Sequence, residues 1–351
     1  MKTRPAFDDA ASAGIITVEQ ARALSAFYAA RPGRAVSFDL AHFDLAHVLW
    51  YAGALVVIGA MGLFSTLAFG MMGGPALTAT ALIYAAAFVA AGRHLRIAHD
   101  LPVPGGLLIA CAVAMTPLAV YGLQESRGWG EQGRPGAYRD LFTWIKGGWV
   151  PMEAATLLAS AIALRVTRFG FITLIAAVSL WFLSMDIGLW ATGPDLDWET
   201  RRTISLWFGL GLIAFAWAVD LRQRRTDYAF WLHLAGILTF WGALTWQSSD
   251  SEVAKALYAL MNVALIGLAI FLSRRIYAVF GAIGVALYLG DLANRVFRDS
   301  LLFPFALSLI GLGLIGLGIL YQRNADRIGG AMIRSLPGSL RRWRPAHADR
   351  A

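Results

Sequence analysis

The sequence predicts an all-α, polytopic integral membrane protein of about ten transmembrane helices, with a short N-terminal cytoplasmic helical segment before them. Three observations lead there. Hydrophobic residues make up 58% and charged residues 15% of the 351 positions, against about 45–50% and about 25% in soluble domains. Leu45 to Gly92 is a run of 48 residues without one Asp, Glu, Lys or Arg, and a bilayer core takes about 20 apolar residues as helix, so the run holds two crossings. The net charge of +8 is placed in short turns between apolar runs and in the C-terminal tail. That distribution orients spans in a lipid bilayer and argues against a nucleic-acid partner.

Residues 1–44 form the N-terminal segment. Thr17 can cap the amide of Gln20 while the Gln20 side chain reaches back, the reciprocal box of a helix start. Val18, Ala21, Leu24 and Tyr28 follow at three- and four-residue spacing and make one modest apolar face. Arg31-Pro32-Gly33 ends the helix. So short a helix is not stable alone; it is expected to dock on the membrane surface, on a partner protein or on another copy of the chain.

The run Gly14-Ile15-Ile16-Thr17, then Glu19-Gln20-Ala21 and Leu24, is followed by the Arg31-Pro32 break and a glycine-rich multi-span region. This pattern resembles the DUF2157 group of bacterial multi-span membrane proteins, over residues 14–32 and in the general layout beyond. The resemblance implies a bacterial membrane setting. It carries over no catalytic residue, because the group has no assigned activity.

Residues 45–321 form the transmembrane domain. Its first two spans, Leu45–Phe69 and Pro75–Gly92, are divided by Gly70-Met71-Met72-Gly73-Gly74-Pro75, where glycines permit a turn and proline favours a fresh helix start. Further spans are Gly105–Gln124, Pro151–Val166, Phe169–Trp190, Ile204–Leu221, Tyr228–Gln247, Val253–Ser273, Ile276–Ala293 and Leu301–Tyr321. Phe38–His42 is repeated exactly by Phe43–His47. His42 and His47, five apart, point about 140° away from each other on a helix, so a membrane-entry helix is expected rather than a metal pair. In the long loop 125–150, Leu141–Ile145 reads as a short interfacial segment. Tryptophans near span ends, among them Trp149, Trp190, Trp231 and Trp246, read as an interfacial belt.

Basic residues test the topology. With the N-terminus in the cytoplasm, 21 of the 30 Lys and Arg fall inside and 9 outside, as the positive-inside rule requires for ten spans with both termini cytoplasmic. The expected location is the bacterial inner (plasma) membrane. Residues 322–351 are a basic cytoplasmic tail, and Leu340-Arg341-Arg342-Trp343-Arg344-Pro345 suits anionic lipids, each basic residue contributing about 1 kcal/mol near such a surface.

Polar groups at membrane depth are the site candidates, because they are costly there without a partner or water. Asn262, near the centre of its span, is read as glue between helices. Asp186 and Asp291, each about one turn inside a span end, are read as edge carboxylates, hydrated or paired with Arg201, Arg202 or Arg295. Asp220 is expected to pair locally with Arg222, Arg224 and Arg225, and His233 to be a satisfied core histidine. Cys111, the lone cysteine, reads as a small buried side chain, and one thiol makes neither an intrachain disulfide nor a cysteine metal cluster. No zinc-protease, serine-hydrolase or P-loop motif is present. The sequence therefore predicts no enzyme, no cofactor and no metal, but a scaffold or sensor-like protein with its N-terminal helix as interaction module. The alternative is a small-molecule transporter. Convergence of Asn262, Asp186 and Asp291 on one polar cavity between two halves of the bundle would favour transport; their dispersal would disfavour it.

Overall fold

The computed structural model describes residues 16–29, 45–128, 149–192, 197–222, 228–246 and 251–297, with isolated positions within 7–14 and 304–316. Among these residues all regular structure is helical. The chain divides into two compact units, Met1–His42 and Phe43–Ala351.

In the first unit, α1 spans Val18–Ala29. Its start is the expected box: the Thr17 amide donates to Gln20 Oε1 at 2.8 Å and the Gln20 amide to Thr17 Oγ1 at 3.2 Å. Ala21 is buried, whereas Val18 and Leu24 are 59% and 37% exposed.

The second unit begins with α2, Leu45–Ala98. Gly73 breaks it at φ 72° and ψ 172°, a left-handed conformation that residues with a Cβ avoid. The break therefore falls within the expected turn, and the helix resumes just before Pro75. Then come α3 (Pro102–Ala114) and α4 (Thr116–Ser126). The sequence reads this stretch as one span; the structure interrupts it at Met115, because Pro117 lacks an amide hydrogen and its ring crowds the preceding turn. The remaining helices are α5 (Val150–Thr167), α6 (Ile172–Thr192), α7 (Trp198–Arg222), α8 (Ala229–Thr245), α9 (Glu252–Leu272) and α10 (Arg275–Phe297). α7 starts earlier than expected, which moves Arg201 and Arg202 from a loop into its first turns.

Six helices are long and apolar enough to cross a bilayer: Gly73–Ala98, Pro102–Ser126, Val150–Thr167, Trp198–Arg222, Glu252–Leu272 and Arg275–Asn294. Val48–Phe64, Ile172–Gly188 and Ala229–Thr245 are shorter apolar helices. Leu301–Tyr321, the Leu141–Ile145 segment, most of the Phe38–His47 repeat and the basic tail lie outside the described residues, isolated positions of the last span apart. Leu49, Val56, Ile83, Val166 and Leu260 stand 62–77% exposed or close to it on helix surfaces (62%, 69%, 68%, 76% and 63%). Apolar surface of that kind suits contact with hydrocarbon and not with water.

Neighbouring helices form antiparallel hairpins, in which residues equally far from the turn face each other. Backbones approach closely where both residues are glycine. A Cβ built on Gly92 would lie 2.7 Å from the Gly105 carbonyl oxygen, and one on Gly74 would lie 2.5 Å from that of Gly122. Helix association in lipid rests on such close packing, since apolar side chains gain little by leaving hydrocarbon. α5 and α9 end on Arg168 (φ 50°) and Ser273 (φ 53°), both left-handed, and these caps let α6 and α10 turn straight back.

A core cluster joins α2, α3, the start of α6 and α8 around Val103, Leu107, Cys111, Phe171 and Trp231. Trp231 corrects the belt expectation. It is only 8% exposed, with its ring 5.0 Å from Tyr51 and 4.8 Å from Phe171, because α8 turns that face toward α2 and away from the bundle surface. Cys111 is buried, with Sγ 3.9 Å from the Ala54 carbonyl oxygen.

Candidate functional site

The polar side chains that the helices carry inward fall into separate groups. The best connected lies where α7 ends, α8 begins and α9 turns into α10. Asp220 is buried there, not paired with its sequence neighbours as expected; Arg222, two residues on, points to a different side and is exposed. Arg274 donates from Nη2 to Asp220 Oδ1 at 2.6 Å and from Nε to Oδ2 at 3.2 Å. His233 Nε2 lies 3.0 Å from Asp220 Oδ2, and its Nδ1 lies 2.6 Å from the Tyr277 hydroxyl.

A carboxylate only accepts, so Nε2 carries the hydrogen, and in the neutral ring Nδ1 accepts from the Tyr277 hydroxyl. His233 and Tyr277 are fully buried and Arg274 is 8% exposed. Charge and hydrogen-bonding capacity are matched within the group. Chemically it is a staple that fixes three helices and one turn, with no group left pointing at a ligand.

The second group lies toward the other end of the helices, where α5 begins, α6 ends and α7 starts. Glu153 on α5 and Asp186 on α6 are 6% and 0% exposed, and they are close enough for the charge on one to act on the other. Their four carboxyl oxygens are sealed from solvent and have no hydrogen-bond partner. The hairpin explains the meeting. Glu153 stands 15 residues before Arg168, and Asp186 stands 15 residues after Phe171. The same symmetry puts Ser160 and Ser179, 8 residues from those markers, in a deeper layer about 10 Å away. Both serines are buried, and Ser160 Oγ has no partner. Asp186 is thus neither a hydrated edge carboxylate nor a partner of Arg201 or Arg202, because α6 turns it toward α5.

Asn262 and Asp291 belong to the α9–α10 hairpin. Asn262 is fully buried. Its Oδ1 accepts from Trp241 Nε1 at 2.9 Å and its Nδ2 donates to the Tyr258 carbonyl at 2.8 Å. Gly284 gives it room, since any Cβ there would overlap the Asn262 amide. Asp291 is 48% exposed and lies 4.0 Å from Lys255 Nζ; the side chain of Arg295, its expected partner, is outside the described residues. The sequence candidates are therefore not brought together. A cleft of about 320 Å³ between α6, α7 and α8, with Trp181, Trp198 and Trp246 in its walls, is lined by none of them.

Three residues of these groups escape a sequence reading: Glu153, Arg274 and Tyr277. Each has a positional signal, its height on a hairpin measured from the turn. Among the described residues no set of three His, Cys, Asp or Glu could hold a metal ion. The chain was compared with protein-family models, curated proteins and solved structures, and it matches none of them.

Proposed function

We propose that this chain is a bacterial inner-membrane protein of the DUF2157 type with a non-enzymatic role: a scaffold or sensor-like module whose N-terminal helix is its interaction element. One observation carries this reading. Asn262, Asp186 and Asp291 sit in separate helix contacts and share no cavity, whereas a transporter of the expected kind needs polar groups around one path. The motif at 14–32 supports the family. The 21-to-9 split of basic residues supports ten spans with both termini in the cytoplasm. The exposed Val18 and Leu24 on α1 support docking of that helix on a protein partner or a second copy, and the basic-aromatic tail supports contact with anionic lipid.

The test compares the full chain with a chain lacking residues 1–33. Both should insert in the membrane with the same thermal midpoint, and only the full chain should cross-link through α1 to a partner or a second copy. Truncation without effect on cross-linking, or solute flux by the full chain in liposomes, would overturn the proposal.

A second reading, a transporter, is favoured by one feature: the two polar layers of the α5–α6 hairpin, Glu153 with Asp186 and Ser160 with Ser179, lie one below the other along a single helix contact.

A further inference from the structure

We infer that Glu153 and Asp186 form a proton-holding carboxyl pair, in which the O–H of one donates to an oxygen of the other. The inference is independent of whether the chain is a scaffold or a transporter. It starts from an accounting of hydrogen bonds. Four carboxyl oxygens are buried on two facing helices, and no protein donor reaches any of them. Buried polar groups without partners are rare in folded chains because each loses its hydration and gains nothing. Two negative charges side by side in such a place repel as well. A single proton removes one charge and creates the missing donor, so the two side chains satisfy each other.

The occupant is a proton rather than a metal ion for two reasons. The oxygens are sealed from a water-sized probe, and a proton needs no room. A hard cation also takes about six or more oxygen ligands, and here the nearby hydroxyls are engaged or distant. Thr156, on the same face of α5, donates to the Met152 carbonyl at 2.6 Å, and the serine layer is about 10 Å deeper.

The charged groups on the elements packed against this end are Glu125 and Arg127 at the end of α4, and Asp197, Glu199, Arg201 and Arg202 at the start of α7. None bonds to the pair. Arg202 is the nearest in kind to a counter-charge, but it is turned to Glu199. α3 and α8 bring no charged side chain to this end.

Infrared spectroscopy of the purified full chain in detergent at neutral pH tests the inference. The wild type should show the carbonyl stretch of a protonated carboxyl group, shifted by deuterium exchange once the protein is opened to solvent. Glu153→Gln with Asp186→Asn should remove that band, and added sodium should not change it. A wild-type spectrum without the band, a band that survives the double substitution, or a band abolished by sodium would each overturn the inference. Should the double variant not fold, wild-type protein labelled with carbon-13 at the Asp and Glu carboxyls supplies the same answer. Two protonated-type carboxyl signals, or one shared between an Asp and a Glu, support the pair, and two carboxylate signals overturn it.

Discussion

Arg274 clamps Asp220 through both of its oxygens, at 2.6 and 3.2 Å, across 54 positions of sequence. The contact ties the end of α7 to the turn between α9 and α10, and His233 adds α8. A buried pair of this kind is more costly to break than to lack. Removing one partner strands a charge, at about 3–5 kcal/mol, whereas replacing both by apolar groups is often neutral. Arg274→Met or Asp220→Leu alone should therefore lower the thermal midpoint of the chain in detergent sharply. The double variant should recover most of the loss. Equal losses from the singles and the double would show that the ion pair does not hold these helices together.

Tyr277→Phe removes only the hydroxyl that His233 Nδ1 faces at 2.6 Å. The ring stays packed 5.6 Å from the imidazole, so the expected loss is that of one buried hydrogen bond, about 1 kcal/mol. Thermal unfolding should rank it well below Arg274→Met.

Asn262 and Gly284 make a different kind of pair. The glycine is there because the Asn262 amide fills the space its side chain would occupy. Gly284→Ala should destabilise the α9–α10 hairpin by about 1–3 kcal/mol, the usual effect of overpacking. Asn262→Ala should lose about 1–2 kcal/mol with its hydrogen bonds to Trp241 and Tyr258. Combined, the two should be less harmful than their sum, because the shortened side chain makes room for the new methyl. Strict additivity in unfolding measurements would refute the contact.

Much of this is a matter of height along a hairpin, and part of it is legible in the chain. Once Ser273 is taken as a turn, Asn262 and Gly284 are each 11 residues from it, and Lys255 and Asp291 are each 18. Around the Arg168 turn the same rule pairs Glu153 with Asp186. The apolar runs fixed the helices well, and the Thr17–Gln20 box placed the start of α1. Rotation about each helix axis was not legible, and it decides the sites. Asp220 could face its arginine neighbours or the interior, and Trp231 could face lipid or Phe171. Only packing against helices far off in sequence chooses between those faces. Arg274 was counted for its charge at a turn, and nothing local shows that its side chain folds back into the bundle.

Lys255 and Asp291 share a height, yet their pair should contribute little. Their nearest atoms are 4.0 Å apart, with the side chains 24% and 48% exposed. Lys255 Nζ also lies 3.5 Å from Glu252 Oε1. Exposed pairs of this kind are worth about 0–1 kcal/mol and weaken with salt. Lys255→Ala should shift the thermal midpoint only slightly, and less in high salt. A large loss would mean that this end of the hairpin is drier than its exposure indicates.

Asp197 caps α7 just before its first apolar turn, with Oδ1 accepting from the Thr200 amide at 3.0 Å. Hydrogen bonds from the Thr200 side chain and then its backbone hold the carboxyl below its ordinary value, which is about 3.9 in an unfolded chain. A group depressed on folding stabilises above its unfolded value and loses that contribution as pH falls through the folded one. The cap should therefore be fully present above about pH 4 and fade at more acid pH. Asp197→Asn keeps an acceptor at every pH, so it is the natural reference. Hydrogen exchange at the Thr200 amide should be equally slow in wild type and Asp197→Asn at neutral pH, and faster in wild type in acid. Asp197→Ala should be fast throughout, and an acid response that Asp197→Asn shared with wild type would place the titrating group elsewhere.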